Sequence, residues 1–262
     1  MQNNSTFVLS PPSQTNWSPD AFRFWPTLLV AVGALFAVFV PSFIYLGIAM
    51  AVGAIKLAPG QPEVMPPSQL IAAQIVAYVP LAIYLLAIVP RIAHRSLHDL
   101  GVRAPSLAEL GFGALGTVAM FVVVSSASLA IEAVTHFHDT EAAVALLKSL
   151  HGVPEKLAFA IMAVVLAPMV EELTFRVFAF NAFASRTSVG VAAALSGILF
   201  GAVHALGSPP SQLLTVAIPL ALGGVVLALV YSRTHCYWSN VVTHALFNSI
   251  SVVAYFGFHA KV

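Results

Sequence analysis

Apolar residues run along this chain in seven long blocks, separated by short polar intervals that carry proline, glycine or charge. The blocks lie near residues 24–50, 69–91, 110–134, 157–183, 188–206, 213–232 and 238–258. Each approaches the roughly 20 apolar residues that a helix needs to cross the hydrocarbon of a bilayer. The pattern predicts an all-α fold, a polytopic transmembrane helical bundle of about seven spans. The count becomes eight if the first block hides an extra turn at Pro41. The interval "APGQPEVMPPSQ" (58–69) reads as a proline-rich loop, and "HDTEAAVALLKSLHGV" (138–153) as a short amphipathic helix at the membrane surface. "GALG" (113–116) and "VSSAS" (124–128) are small-residue faces suited to close helix contact. Pro41, Pro168 and Pro219 are expected to kink their spans, and Pro168 to free a carbonyl three residues before Glu171.

Composition strengthens the membrane reading. Of 262 residues, 59% are hydrophobic and 8% charged, with a mean hydropathy of +0.92, where soluble domains carry about 25% charged residues. A net charge of +1 without a basic run leaves nucleic acid out as a partner. The single cysteine, Cys236, rules out an internal disulfide and a cysteine-based metal motif. Residues 1–23 read as a polar N-terminal tail without the basic start of a signal peptide, so the first apolar block is expected to be a retained span. With seven spans, Arg23, Arg91, Arg95, Arg103, Arg186 and Arg233 fall on the side of the N-terminus, and Lys56, Lys148, Lys156 and Lys261 on the other. The positive-inside rule then places the N-terminus of this multi-pass protein in the cytoplasm.

Three ionisable residues break the apolar pattern inside a span. In "PMVEELTFR" (168–176), Glu171, Glu172 and Arg176 each cost roughly 2.5–3.5 kcal/mol on insertion scales, so each should face the protein interior with a partner. Glu172 and Arg176 are four apart in the favourable order for a helical ion pair. Glu171 is turned by about 100° from Glu172 and needs a different partner. "FGAVH" offers His204 in the fifth span, and "HALFN" offers His244 and Asn248 one turn apart in the seventh. The other histidines fall in loops or near span ends. Ser196 lacks the elbow of a serine nucleophile, and no HExxH motif is present.

This set suits hydrolysis of a peptide bond. Glu171, near a histidine, can take a proton from water. His244 and Asn248 can donate hydrogen bonds to a developing oxyanion. Glu172 with Arg176 would hold the helix rotation that aims Glu171. Glu171, His204 and His244 also make a plausible zinc set, and sequence does not separate a metal-bound water from a glutamate-activated one.

The motifs "EELTFR", "FGAVH" and "HALFN" match, in order, the EExxxR, FxxxH and HxxxN motifs of the CAAX-processing and bacteriocin-processing (Abi) proteases, and the chain resembles that family over roughly 157–258. The resemblance implies an intramembrane endopeptidase. It implies Glu171 as general base with His204, His244 and Asn248 on the oxyanion side, Glu172 and Arg176 as supports, and a peptide or membrane-protein substrate met in the bilayer. It divides the chain into the tail (1–23), N-terminal spans and loops (24–156) and an Abi-like catalytic core (157–258). Two departures are Val177, where the family often has a small residue, and seven spans where it often has eight. Some family members are non-proteolytic scaffolds, and that is the alternative reading. A proton-coupled transporter would also bury Glu, Arg and His but should show repeated halves, and none is visible. One constraint stands out. At 1.5 Å per residue, Glu171 and His204 lie roughly 20–24 Å from the loop at 184–188, but His244 only ~8 Å from its span's start. The three meet only if "RTHCYWSN" (233–240) dips into the protein.

Overall fold

A computed structural model describes residues 17–55, 65–136, 142–206 and 213–258. Most of the N-terminal tail, residues 58–64 of the proline-rich loop, the start of the 138–153 segment, and Lys56, His138, His259 and Lys261 lie outside them. Among the described residues the chain is all helix and turn, with no strand. In chain order the helices are α1 (Phe24–Ala51), α2 (Pro67–Ala93), α3 (Leu107–Thr135), α4 (Ala142–Lys148), α5 (Val153–Ala184), α6 (Val189–His204), α7 (Leu213–Thr234) and α8 (Tyr237–Phe258). By length and composition α1, α2, α3, α5 and α7 can each cross a membrane, and α6, at 16 residues, is shorter. α8 has 22 residues. These seven rods coincide with the seven apolar blocks, five of them long and apolar enough to cross a membrane, and α4 is the short helix expected in 138–153. α1 runs unbroken through Pro41, so the first block holds one helix and not two.

Two of the rods change pitch. α5 is π-helical over Met162–Leu166 and again over Leu173–Phe180, with a short α segment, Ala167–Glu172, between them. α7 opens with π-helical Leu213–Ala217. Pro168 and Pro219 each lie two residues past the end of a π segment, which absorbs the hydrogen bond that proline cannot make. Single π turns collect at functional sites, and both glutamates of interest lie on the α segment between two of them.

Small residues set how closely the rods approach. α3 packs on α7 and α8. A Cβ at Gly116 would sit 2.7 Å from Val230 Cγ2 and 2.9 Å from Thr243 Oγ1, and one at Gly113 would collide with the Ser239 carbonyl. Where α6 meets α7, a Cβ at Gly197 would lie 2.6 Å from the Ala221 carbonyl oxygen. Side-chain hydroxyls then bond across the contact: Thr243 Oγ1 donates to Gly113 O at 2.7 Å and Ser239 Oγ to Glu109 O at 2.9 Å. Ser196, fully buried, donates to Phe175 O at 2.8 Å and so ties α6 to α5.

The ends of the rods gather into two rims. On the first, Phe22 N donates to Ile92 O and Arg186 Nη2 to Ala21 O. Arg95 lies over the Trp17 ring at 4.3 Å. Residues 17–22, read from sequence as part of a mobile tail, are therefore pinned here by their apolar side chains, with Ala21 and Phe22 buried. On the same rim Ser106 caps α3 in a reciprocal box with Glu109, which also pairs with Arg103. On the opposite rim Lys156 lies over the Phe256 ring and Tyr255 Oη donates to Lys148 O.

The turn between α7 and α8 is recessed below the first rim. Cys236 is buried. Tyr237 N donates to Gly101 O at 2.9 Å, and Tyr231 Oη to Leu100 O at 2.7 Å. The segment around 95–103 thus covers the turn and lets α8 start deep. The expected dip exists, with one correction: only His235 and Cys236 leave the helix, and Tyr237 to Asn240 already belong to α8. A buried helix start needs fewer partners for its backbone than a buried loop.

Candidate active site

Glu172 and Arg176 are both fully buried, with Arg176 Nε 3.2 Å from Glu172 Oε2. A charge pair without water needs further hydrogen bonds to be tolerated. Arg176 Nη2 donates to Gly224 O at 3.0 Å, and its guanidinium lies 5.0 Å from the Phe200 ring centre. Glu172 Oε2 also accepts from Asn240 Nδ2 at 3.0 Å, and Asn240 Nδ2 reaches Leu227 O at 2.7 Å. Glu172 Oε1 lies 2.9 Å from His244 Nδ1. One carboxylate therefore joins α5, α7 and α8 and fixes the face that α8 turns inward.

Glu171 points another way, as its 100° offset requires. Its Oε1 accepts from Tyr78 Oη of α2 at 2.6 Å. Its Oε2 lies 3.7 Å from His204 Nε2 and 3.7 Å from His244 Nε2. The side chain is 13% exposed and that of His204 19%, against 4% for His244. All three line a cavity of about 390 Å³.

The hydrogen bonds fix which ring nitrogens face that cavity. His204 Nδ1 is 2.8 Å from Phe200 O, four residues back on α6. A carbonyl only accepts, so Nδ1 carries the proton and a neutral His204 presents a lone pair at Nε2. His244 Nδ1 faces the Glu172 carboxylate in the same sense, so its Nε2 donates only when the ring is doubly protonated. Phe200 lies tilted against His204, ring centres 4.4 Å apart, and meets His244 edge-on at 5.6 Å, which holds both rings.

Asn248 also lines the cavity, and its Nδ2 donates to Ala163 O at 2.9 Å. Ala167 N, at the end of the first π segment, bonds to Met162 O, five residues back. The next amide in that register would belong to Pro168, which has none, so the Ala163 carbonyl is the one released. Asn248 takes it with one of its two amide hydrogens, bridging α8 to α5.

All six residues singled out from sequence thus meet, Glu171, His204, His244 and Asn248 around the cavity and Glu172 and Arg176 behind it. Two more belong with them. Asn240 precedes His244 by one turn, and the stripe Asn240, His244, Asn248 on one face of an apolar helix was available as a signal. Tyr78, 93 residues before Glu171, sits four residues after Gln74 in α2, and both line the cavity. A Gln–Tyr pair one turn apart in an apolar span is a weaker hint. Among the described residues no group of three or more His, Cys, Asp or Glu side chains is disposed to hold a metal ion.

The sequence of residues 153–250 matches the family model described as type II CAAX prenyl endopeptidase Rce1-like. A similar protein is "Putative membrane peptidase YdiL" of Bacillus subtilis (strain 168), 28% identical over 115 residues, which is 44% of this chain and 43% of that protein. The chain thus matches less than half the length of this curated relative. No solved structure matches the chain significantly.

Proposed function

We propose that this chain, whose residues 153–250 match the Rce1-like family of CAAX prenyl endopeptidases, is an intramembrane endopeptidase whose attacking water is activated by Glu171 and His204. The observation that carries this reading is the approach of Glu171 Oε2 to 3.7 Å from the Nε2 atoms of both His204 and His244 in one cavity. That separation is too long for a direct hydrogen bond and suits a water between the groups.

Glu171 Oε2 takes a proton from this water while the His204 Nε2 lone pair orients it. The water oxygen forms a bond to the carbonyl carbon of the substrate. The carbonyl oxygen becomes an oxyanion, which Nε2–H of a doubly protonated His244 and the second amide hydrogen of Asn248 stabilise. Glu171 then returns the proton to the leaving nitrogen, the C–N bond breaks, and a carboxylic acid and an amine depart. Tyr78 holds Oε1 so that Oε2 faces the water. Glu172, with Arg176 and Asn240, holds His244 in register, and these three act through it without touching substrate. The substrate is a membrane-associated polypeptide.

The test is turnover of a membrane peptide substrate by purified protein in detergent. Glu171→Gln, which keeps size and removes the base, should lower kcat by at least ~10² with unchanged elution on size exclusion. His204→Ala should fall in the same range. Full activity of Glu171→Gln would end the proposal.

A further inference from the structure

We infer, resting on the endopeptidase reading above for the nature of the ligand, that Gln74 binds the main chain of the substrate. Its side-chain amide takes hold of a peptide unit about two residues from the bond that is cut. Gln74 thereby selects an extended polypeptide over a ligand without a peptide backbone.

The first observation is that the Gln74 amide is uncommitted. Most polar groups of the cavity already have a contact within the protein: Glu171 with Tyr78, His244 with Glu172, His204 with Phe200 O and Asn248 with Ala163 O. Gln69, the other glutamine of α2, accepts from Tyr45 Oη at 2.6 Å. Gln74 lines the cavity too, and among the described residues no hydrogen bond engages its side chain. Ser251 of α8 lines the cavity in the same uncommitted state. Their neighbours in the lining, Leu70 one turn before Gln74 and Val252 beside Ser251, are apolar. A primary amide left unpaired beside apolar groups is costly, and polar side chains turned into a cavity between spans mark the path of a ligand.

The second observation is position. Gln74 precedes Tyr78 by four residues and Ser251 follows Asn248 by three, so each shares a helix face with a residue of the reaction centre. α2 ends at the first rim and α8 begins there, so the two run in opposite directions. Gln74 and Ser251 are therefore displaced to the same side of Glu171, by about 6 Å along α2 and about 4.5 Å along α8 at the helical rise per residue. An extended chain advances about 3.3 Å per residue. A polypeptide whose scissile carbonyl lies beside Glu171 thus brings a peptide unit to Gln74 after about two residues. The chemistry is complementary. Gln74 Oε1 accepts from an N–H, and Nε2 donates to a C=O. A main chain offers both at each residue, whereas the acyl chain of a lipid offers neither.

Equilibrium binding tests this without requiring turnover. The probe is a fluorescein-labelled leucine–alanine hexapeptide, and its affinity for the purified Glu171→Gln protein in detergent is read by fluorescence anisotropy, so that nothing is cleaved. Gln74→Leu, close in size, removes the amide. It should weaken binding of the hexapeptide about tenfold, through loss of both hydrogen bonds, with no fall in melting temperature because no contact within the protein is lost. Gln74→Met repeats the test with a second apolar side chain. Fluorescein-labelled palmitate is the control without a backbone, and its affinity should not change. Each amide of the hexapeptide is then N-methylated in turn. One such peptide should bind about tenfold less tightly to the protein that keeps Gln74, and lose nothing further on Gln74→Leu. A residue with a merely structural role produces no such coupling. Equal affinity of the two proteins for the hexapeptide overturns the inference. So do a hexapeptide that does not bind, a melting temperature lowered by both substitutions, and N-methyl losses that are the same in both proteins. With Glu171 restored, Gln74→Leu should raise KM about tenfold and leave kcat unchanged. A protein that shows the binding pattern and cleaves nothing defeats the proposed reaction alone. One that cleaves with a KM indifferent to Gln74→Leu defeats this inference alone.

Discussion

At the scale of single residues, the two adjacent glutamates differ in what surrounds them. Glu172 is wholly enclosed by Arg176, Asn240 and His244. Glu171 keeps one oxygen on Tyr78 and offers the other to a cavity. Removing Glu172 strands a buried guanidinium and frees His244, so Glu172→Ala should destabilise the protein by about 3–5 kcal/mol. A fall of the melting temperature in detergent together with loss of activity is the expected reading. Tyr78→Phe removes only the hydroxyl that steadies Glu171. It should lower kcat by roughly tenfold, equivalent to about 1.4 kcal/mol, with KM and melting temperature nearly unchanged. An unaltered kcat would remove Tyr78 from the site. The motif residues were evident from sequence because an ionisable group inside a span is costly and stands out in a single line of text. Tyr78 carries no charge and no such cost, and only its contact with Glu171 reveals it.

At the scale of elements, α5 combines a span with a device for aiming side chains. Its two π segments and Pro168 release the Ala163 carbonyl for Asn248 and set the rotation of the Glu171–Glu172 turn. The turn between α7 and α8 matters equally, since it places His244 at the depth of Glu171. Gly101 makes its recess: φ is +80°, and an added Cβ would lie 2.6 Å from the His235 carbonyl oxygen. Gly101→Ala is therefore strained by backbone and by contact alike. It should lower stability by about 1–3 kcal/mol and reduce activity by displacing α8. A fully active variant of unchanged melting temperature would show that the recess does not depend on this residue. Spans were readable as apolar blocks, whereas pitch changes were not, because a π turn leaves no mark on hydrophobic periodicity over so short a stretch.

At the scale of the whole molecule, α2 to α8 all contribute to the wall of the cavity beside Glu171, and the arginines gather at the first rim. His235, outside the spans on the first rim, has its pKa held down to about 4 by burial and by the nearby Arg103 and Arg95. The unfolded chain takes up this proton near the ordinary histidine value of ~6.5, so more protons bind on unfolding between those limits. The His235 contribution is complete above pH ~6.5 and lost as pH falls towards 4. Thermal melts should show this slope in the parent protein and a shallower one in His235→Asn, which tolerates the same left-handed backbone. With water activated by Glu171 and His204 alone, chelation followed by elemental analysis should leave a metal-free protein at its normal rate. A rate restored only by zinc would return Glu171, His204 and His244 to a ligand role. By itself the sequence determined the all-helical membrane fold, the positions of the apolar blocks and the charged residues that cannot face lipid, because hydrophobic length and the cost of a buried charge are local quantities. Only the tertiary structure decided that Tyr78 and Asn240 join the site and how few residues the α7–α8 turn uses to let His244 reach Glu171. Each depends on the depth and rotation of one helix against another, fixed by contacts between residues far apart in the chain.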